Sequence, residues 1–235
     1  MNRKMKAVLL LSVAVALSVS ASAFKMPSAS SLTGAGSSSG SSLDVNSVKT
    51  KVQNILNTSN ATTESFNKSL VVLNTILASK EEVAKLKEAQ EAAEGKAKTA
   101  AASAFAEPVA AASASNLIAI AGQVDLKDKI QALTKEQKQQ TVDAAFNVAL
   151  ANLGFATVAT DSADLVKEIS SDSGAAVKLS SELKSLKTIS SNAVQQIKAS
   201  ADVTGAVTKI IAAGDIKFKA PTSAAEKAKK VSVVW

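Results

Sequence analysis

The sequence predicts an all-α protein, an elongated and mostly antiparallel bundle of four or five helices. Residues 134–201 contain no proline and only two glycines, Gly154 and Gly174, and apolar residues recur at helical spacing on both sides of Gly174. Alanine, serine, lysine and threonine dominate the composition, so helices can approach closely while each side chain buries little area. Because the chain has no cysteine, packing alone must hold the fold.

The first 23 residues have the pattern of a signal peptide. Three basic residues precede the apolar run 7–19, and the small residues Ala21, Ser22 and Ala23 suit a signal peptidase. We therefore expect export and cleavage before Phe24. A cysteine-free, alanine-rich exported chain is typical of bacteria, so the periplasm is the expected location and the extracellular medium the alternative.

A flexible Ser/Gly-rich linker is predicted at 24–42, because eleven of the fifteen residues 28–42 are serine or glycine. The helical-bundle domain is predicted to span 43–214. A basic, irregular C-terminal tail is expected at 215–235.

Within the bundle domain, Asp44 is a suitable N-cap for a first helix. We expect this helix to end near residues 57–60, whose polar side chains compete for backbone hydrogen bonds. A second helix is expected to begin around Thr63. Its apolar face is formed by residues four, three and four apart: Phe66, Leu70, Leu73 and Leu77.

A third helix is predicted to carry Pro108 in its first turn, where the missing N–H costs nothing. Residues 109–124 are nearly uncharged and allow two interpretations, a buried central helix or a membrane-inserting segment. The segment is short and interrupted by Ser113, Asn116 and Gln123, which favours burial.

Thr134 and Gln137 have capping-box spacing and predict the start of the longest helix. Gly154 lies inside its pattern and predicts a kink or a close helix crossing. Gly174 suits the turn that follows.

The return helix is expected to break near Gly205, with a last helical turn before Gly214. In the tail, a basic patch of three lysines precedes alternating apolar residues, and both an ordered strap and a loose basic end fit that pattern.

Composition excludes several classes of function. Without residues 1–23 the chain has 24 Lys+Arg (27 − 3) against 20 Asp+Glu, which is a net charge of +4. That balance and the six Phe, one Trp and no Tyr are too little for a nucleic-acid interface. With no histidine and no cysteine, zinc sites and Ser-His or Cys-His catalysis are excluded. We predict no catalytic, cofactor-binding or metal site, and no enzyme.

One group of acidic residues allows a metal-site interpretation. Its four residues share one predicted helix face, with spacings of three, four and four: Asp161, Asp164, Glu168 and Asp172. A calcium site is one interpretation, but a straight helix spreads them over about 16 Å, which favours a solvated face. A hairpin at Gly174 would place these acids near Lys184 and Lys187, and predicts cross-helix ion pairs.

Three functions fit these observations. The favoured one is an exported structural, adaptor or chaperone-like protein that binds a protein partner, or itself, through helix faces. The second is a membrane-associating or pore-forming protein, with membrane-surface contact possible but not favoured. The third is a carrier of a small apolar ligand.

Overall fold

The computed structural model describes residues 43–93 and 108–235. The predicted signal peptide, 1–23, and linker, 24–42, lie outside the described residues. The described chain forms seven helices and no strand. In chain order they are α1 (Val45–Leu77), α2 (Lys80–Ala93), α3 (Pro108–Ala121), α4 (Leu126–Ala132), α5 (Lys135–Ser170), α6 (Ser173–Lys178) and α7 (Ser180–Ala213).

The frame of the molecule is three long helices, α1, α5 and α7, of 33, 36 and 34 residues. Lys51 of α1 contacts Glu168 near the end of α5, whereas Thr62 of α1 lies against Gly154 in the middle of α5, so α1 and α5 are antiparallel. The α7 helix returns alongside α5: its Ser190 hydroxyl donates to the Ala159 carbonyl oxygen at 3.4 Å. The predicted all-α antiparallel bundle is confirmed.

The α1 helix is continuous, so the break predicted near residues 57–60 is wrong. Its polar residues are accommodated within the helix. The Thr58 hydroxyl donates to the Asn54 carbonyl oxygen at 2.9 Å, and Ser59 is buried in the bundle. Packing along α5 therefore outweighs the weak helix propensity of this stretch.

The first interruption falls instead at Ala78 and Ser79. The Ser79 hydroxyl accepts from the Glu82 backbone N–H, and the Glu82 carboxylate accepts from the Ser79 N–H at 2.8 Å. This reciprocal pair begins α2 and has the S-x-x-E spacing of a capping box. The same carboxylate has a pKa below its usual value, because the Ser79 N–H and hydroxyl donate to it.

The α3 helix packs on the bundle through one face, so the burial interpretation of residues 109–124 is correct for that face and wrong for residues 122–124, which are exposed. It begins at Pro108 and contacts α1, α2 and α7. One face is buried, with Leu117 and Ile120 almost fully enclosed. The short α4 helix was not predicted, and it packs on α7 through Leu126 and Ile130.

The capping box at the start of α5 is confirmed. The Thr134 hydroxyl accepts from the Gln137 N–H at 3.2 Å, and the Gln137 side chain accepts from the Thr134 N–H at 2.9 Å. Of the two interpretations of Gly154, close crossing is correct: a Cβ built there would lie 2.8 Å from the Thr62 Oγ1, and α5 runs on without interruption.

Two other glycines do not act as the sequence predicted. The turn after α5 is made by Ser171 and Asp172, and Gly174 lies in the first turn of α6. The Asp172 carboxylate caps α6 by accepting from the Ala175 N–H at 2.9 Å, which starts a new helix where a loop was expected. Gly205 does not break α7, which continues to Ala213 with Gly214 as its C-cap.

The buried apolar residues form two main clusters along the three long helices. The large core joins α1, α3, α4, α5 and α7 with Val231 of the tail. The small core lies at the opposite end of the bundle, around the starts of α1 and α7, the end of α5, and α6. A third, minor cluster links α1, α2 and α3 through Val71, Leu86 and Val109.

The predicted irregular tail, 215–235, has neither helix nor strand, yet it packs on the bundle. Val231 is 4% exposed and belongs to the large core, and Ile216 and Phe218 pack against that core. Of the two interpretations of the tail, the ordered strap is the one that the structure contains.

Candidate functional site

The four acidic residues do not converge on one site, and the prediction that all four share one helix face is wrong for Asp172, which lies beyond the end of α5. Asp161 and Asp164 are exposed, Glu168 pairs with Lys51 of α1 at 3.1 Å, and Asp172 is engaged as the N-cap of α6. Among the described residues, no group of three or more Asp, Glu, His or Cys is placed to hold a metal ion.

The predicted ion pairs from Asp161 and Asp164 to Lys184 and Lys187 are not formed. The ion pairs between helices in the described chain are Lys51–Glu168 and a longer one, Lys49–Glu182, at 4.0 Å. Burial and the neighbouring Asp164 raise the pKa of Asp161, which is the opposite of what a cationic partner would do.

The hairpin register behind that hypothesis is nevertheless close. It placed Asp161 beside Lys187, and the hydrogen bond from Ser190 to Ala159 aligns the two helices within one or two residues of that pairing. The lysines fail to reach the acids because both groups lie on exposed faces, where solvent competes for them.

Asp172 makes a second contact that sequence reasoning missed. Its carboxylate also accepts from the Leu43 backbone N–H at 3.2 Å, so it joins the residues before α1 to the corner between α5 and α6. The donated bonds from Ala175 and Leu43 lower the pKa of this carboxyl group. The role of Asp172 is therefore structural.

One cleft lies between α2 and α3, with a volume of about 300 Å³. It is lined by Glu82, Lys85, Leu86, Ala112 and Asn116. Glu82 is already used to cap α2, and the lining carries both charges, so the cleft lacks the apolar walls of a lipid-type carrier site.

A group of buried polar side chains lies where the two cores meet. We call it the polar layer, and it comprises Ser59, Asn152, Gln196, Ser200 and Thr204. The Asn152 Nδ2 donates to the Thr204 hydroxyl at 2.8 Å, and the Ser200 hydroxyl donates to the Asn152 Oδ1 at 2.7 Å. These bonds join α5 to α7 at one register.

The polar layer does not have the chemistry of a catalytic site. A serine nucleophile needs a base to take its proton, and Ser200 donates to an amide oxygen that cannot ionise. Asn152 and its partners therefore fix the alignment of two helices.

The arrangement best suited to recognition is the contact between Asn147 of α5 and the tail. From here on, the word strap refers only to residues 227–235 of the tail. The Asn147 Oδ1 accepts from the Lys229 N–H at 2.7 Å, and its Nδ2 donates to the Lys229 carbonyl oxygen at 2.9 Å. One buried amide side chain thus satisfies both backbone groups of one strap residue.

Side chains on both sides of that contact complete the site. The Lys229 ammonium lies 5.0 Å from the ring centroid of Phe146, a cation–π distance. Val231 enters the large core, and Val233 packs against both that core and the minor cluster. We call the surface formed by Phe146, Asn147 and the adjoining parts of the large core and the minor cluster the groove. It holds a segment with apolar residues at alternate positions.

Half of this site is visible in the sequence. The alternation in the tail was visible, but its receptor was not. The available signal was Asn147, an amide between Phe146 and Val148 in the apolar run of α5. A polar residue on a buried helix face needs a partner, although the sequence does not say which one.

One described helix, α5, is long and apolar enough to cross a membrane, and 67% of its apolar window is buried in the bundle. A buried core helix of a soluble bundle meets the same criterion.

Comparison of this chain with protein-family models, with curated proteins and with solved structures finds no match in any of the three.

Proposed function

We propose that this chain is an exported, non-enzymatic helical protein of the cell envelope that binds protein partners through its helix faces. Its role would be that of a structural, adaptor or chaperone-like module. The pattern of residues 1–23 supports export, and the lack of histidine and cysteine argues against the commonest catalytic groups.

The observation that carries the proposal is the geometry of the three long helices. A helix of 36 residues is about 54 Å long at 1.5 Å per residue, and α1 and α7 each pack along α5. Such a bundle offers long, continuous helical faces, which are suited to partners that dock along a helix.

Photo-crosslinking inside the exporting cell tests this proposal. A photoreactive residue is placed at exposed positions on each long helix, Asn60, Thr157 and Lys187 in turn. We expect one protein to be crosslinked from one of these three positions, with little product from the other two.

A membrane-associating or pore-forming role is the alternative that one observation favours, the length and apolar character of α5. Light scattering of the chain from Phe24 onward, alone and with anionic liposomes, separates the two roles. Vesicle binding or leakage without a crosslinked protein would replace the proposal by this alternative. The carrier role gains no support from the mixed lining of the α2–α3 cleft.

A further inference from the structure

We infer that the groove occupied by the strap is a docking site for an extended peptide segment of a partner protein, one with apolar residues at alternate positions. In the isolated chain the strap acts as the intramolecular occupant. The inference rests on the proposed function and names the class of partner.

The groove binds the backbone of the segment that it holds. Asn147 is 2% exposed and forms both of its bonds with the N–H and C=O of Lys229 rather than with its side chain. Main-chain bonds supply affinity without selecting a sequence, and pockets for alternate side chains supply the selectivity. Val231 and Val233 fill those positions here.

The strap buries far fewer residues than any of the long helices. Val231 alone is buried; Ser232 and Val234 face solvent, and Lys229 reaches Phe146 only from the surface. Segments with few buried contacts open at lower free energy than the whole fold. The strap can therefore be released while α1, α5 and α7 stay packed.

An intramolecular occupant also masks the site. A tethered segment competes at an effective concentration in the millimolar range, so a free peptide binds the resting chain weakly. A partner segment would bind either when it fits better or when the strap is drawn away.

The test uses a fluorescent peptide of residues 226–235 and the full chain, with binding measured by anisotropy. Val231→Asp in the protein weakens the strap and leaves the groove intact. We expect this variant to bind the peptide at least tenfold more tightly than the unaltered chain does. The matched control is Val234→Asp, which places the same charge at an exposed position of the strap and should bind no better than the unaltered chain.

Two further arms locate the binding. Adding Asn147→Ala to Val231→Asp removes the backbone contact and should weaken peptide binding at least fivefold. A peptide that itself carries aspartate at the position of Val231 should not bind.

Circular dichroism and light scattering establish that each variant is helical and monomeric. If Val231→Asp fails to fold, Lys229→Pro replaces it, because proline removes the N–H donated to Asn147 and spares the buried valine. A folded, strap-weakened chain that binds the peptide no better than the unaltered chain would overturn the inference.

Equal binding of the aspartate-bearing peptide would overturn it too, as would a dimer of the unaltered chain that exchanges straps. Helix-face crosslinking does not depend on the groove, so failure here leaves the proposed function standing.

Discussion

The two ends of the bundle use the same three long helices but are stabilised differently. The large core adds α3, α4 and the tail, and it contains Phe66 and Phe155 in an edge-to-face pair with ring centroids 5.7 Å apart. Among the described residues, the small core is entirely aliphatic and is closed by the six-residue α6 and by Leu43 before α1. More elements cover the large core, so the small-core end should open first.

The small-core end is also fastened by weaker contacts. Its links between helices include the Lys51–Glu168 and Lys49–Glu182 ion pairs, in which both lysine side chains are at least half exposed. Exposed pairs of this kind contribute about 0–1 kcal/mol each. The large-core end has instead the tail, whose Val231 and Asn147 contacts are buried. The same three continuous helices therefore run through two ends of the bundle that we expect to differ in stability.

The largest effect should come from the aromatic pair. Phe155→Ala removes a fully buried ring, and we expect it to lower the free energy of unfolding by about 3–5 kcal/mol. Leu186→Ala in the small core should cost about 2–4 kcal/mol. Chemical denaturation followed by circular dichroism measures both, with half-buried Leu183→Ala as the milder control.

Hydrogen exchange then separates the two ends. We expect Leu186→Ala to speed exchange mainly around the starts of α1 and α7 and the end of α5, and Phe155→Ala to speed it throughout. If Leu186→Ala accelerates exchange equally along all three helices, the bundle opens as one unit and its two ends do not differ in stability.

The next largest effect concerns the polar layer between the cores. Asn152→Ala removes the interhelical partner that the Ser200 and Thr204 hydroxyls share and leaves them only their bonds to carbonyl oxygens within α7, so we expect a loss of about 1–3 kcal/mol. Replacing all three together, by N152V, S200A and T204V, should cost less than the single change, because the buried hydroxyls that lost their interhelical partner are then removed as well. A triple variant less stable than Asn152→Ala would contradict this account.

The sequence predicted the fold class because its signals are local. The capping groups Asp44 and Thr134 lie beside the helices that they begin, and helical spacing of apolar residues follows directly from the order of the chain. Errors arose where tertiary packing overrides local preference, as at residues 57–60 and Gly205, which both lie within continuous helices.

The candidate site was harder to predict because it joins residues 82 positions apart. Neither Asn147 nor Lys229 carries a local pattern that names the other. The spacing of the four acidic residues predicted one shared helix face, yet Glu168 and Asp172 contact different neighbours and Asp161 and Asp164 are exposed. A shared helix face shows which residues are adjacent, and leaves open what lies opposite them.

A smaller effect is expected at the crossing of α1 and α5, close to the polar layer. A Cβ on Gly154 would meet the Thr62 Oγ1 at 2.8 Å and the Cγ2 at 2.9 Å, so Gly154→Ala should force the helices apart and cost about 1–2 kcal/mol. In a Thr62→Ala background both atoms are gone. There the same change should stabilise by up to about 1 kcal/mol, since alanine favours the helix. Thermal unfolding of the four chains measures this reversal of sign.

The smallest effect on stability is expected at Asp161, at the small-core end of the bundle. Since the pKa of Asp161 is raised in the folded chain, its ionisation opposes folding. We expect Asp161→Asn to stabilise the protein at pH 7 by about 0.3 kcal/mol or less, because the carboxylate is exposed and screened. The gain should disappear below the unfolded-state pKa of about 3.9, where the acid is neutral in both states.

Glu168→Gln is the matched control, and it should destabilise slightly through loss of the Lys51 pair. Denaturation midpoints at pH 7 and pH 3 decide the matter: a loss of stability in Asp161→Asn at pH 7 would mean that a cation such as Lys187 pairs with this acid after all.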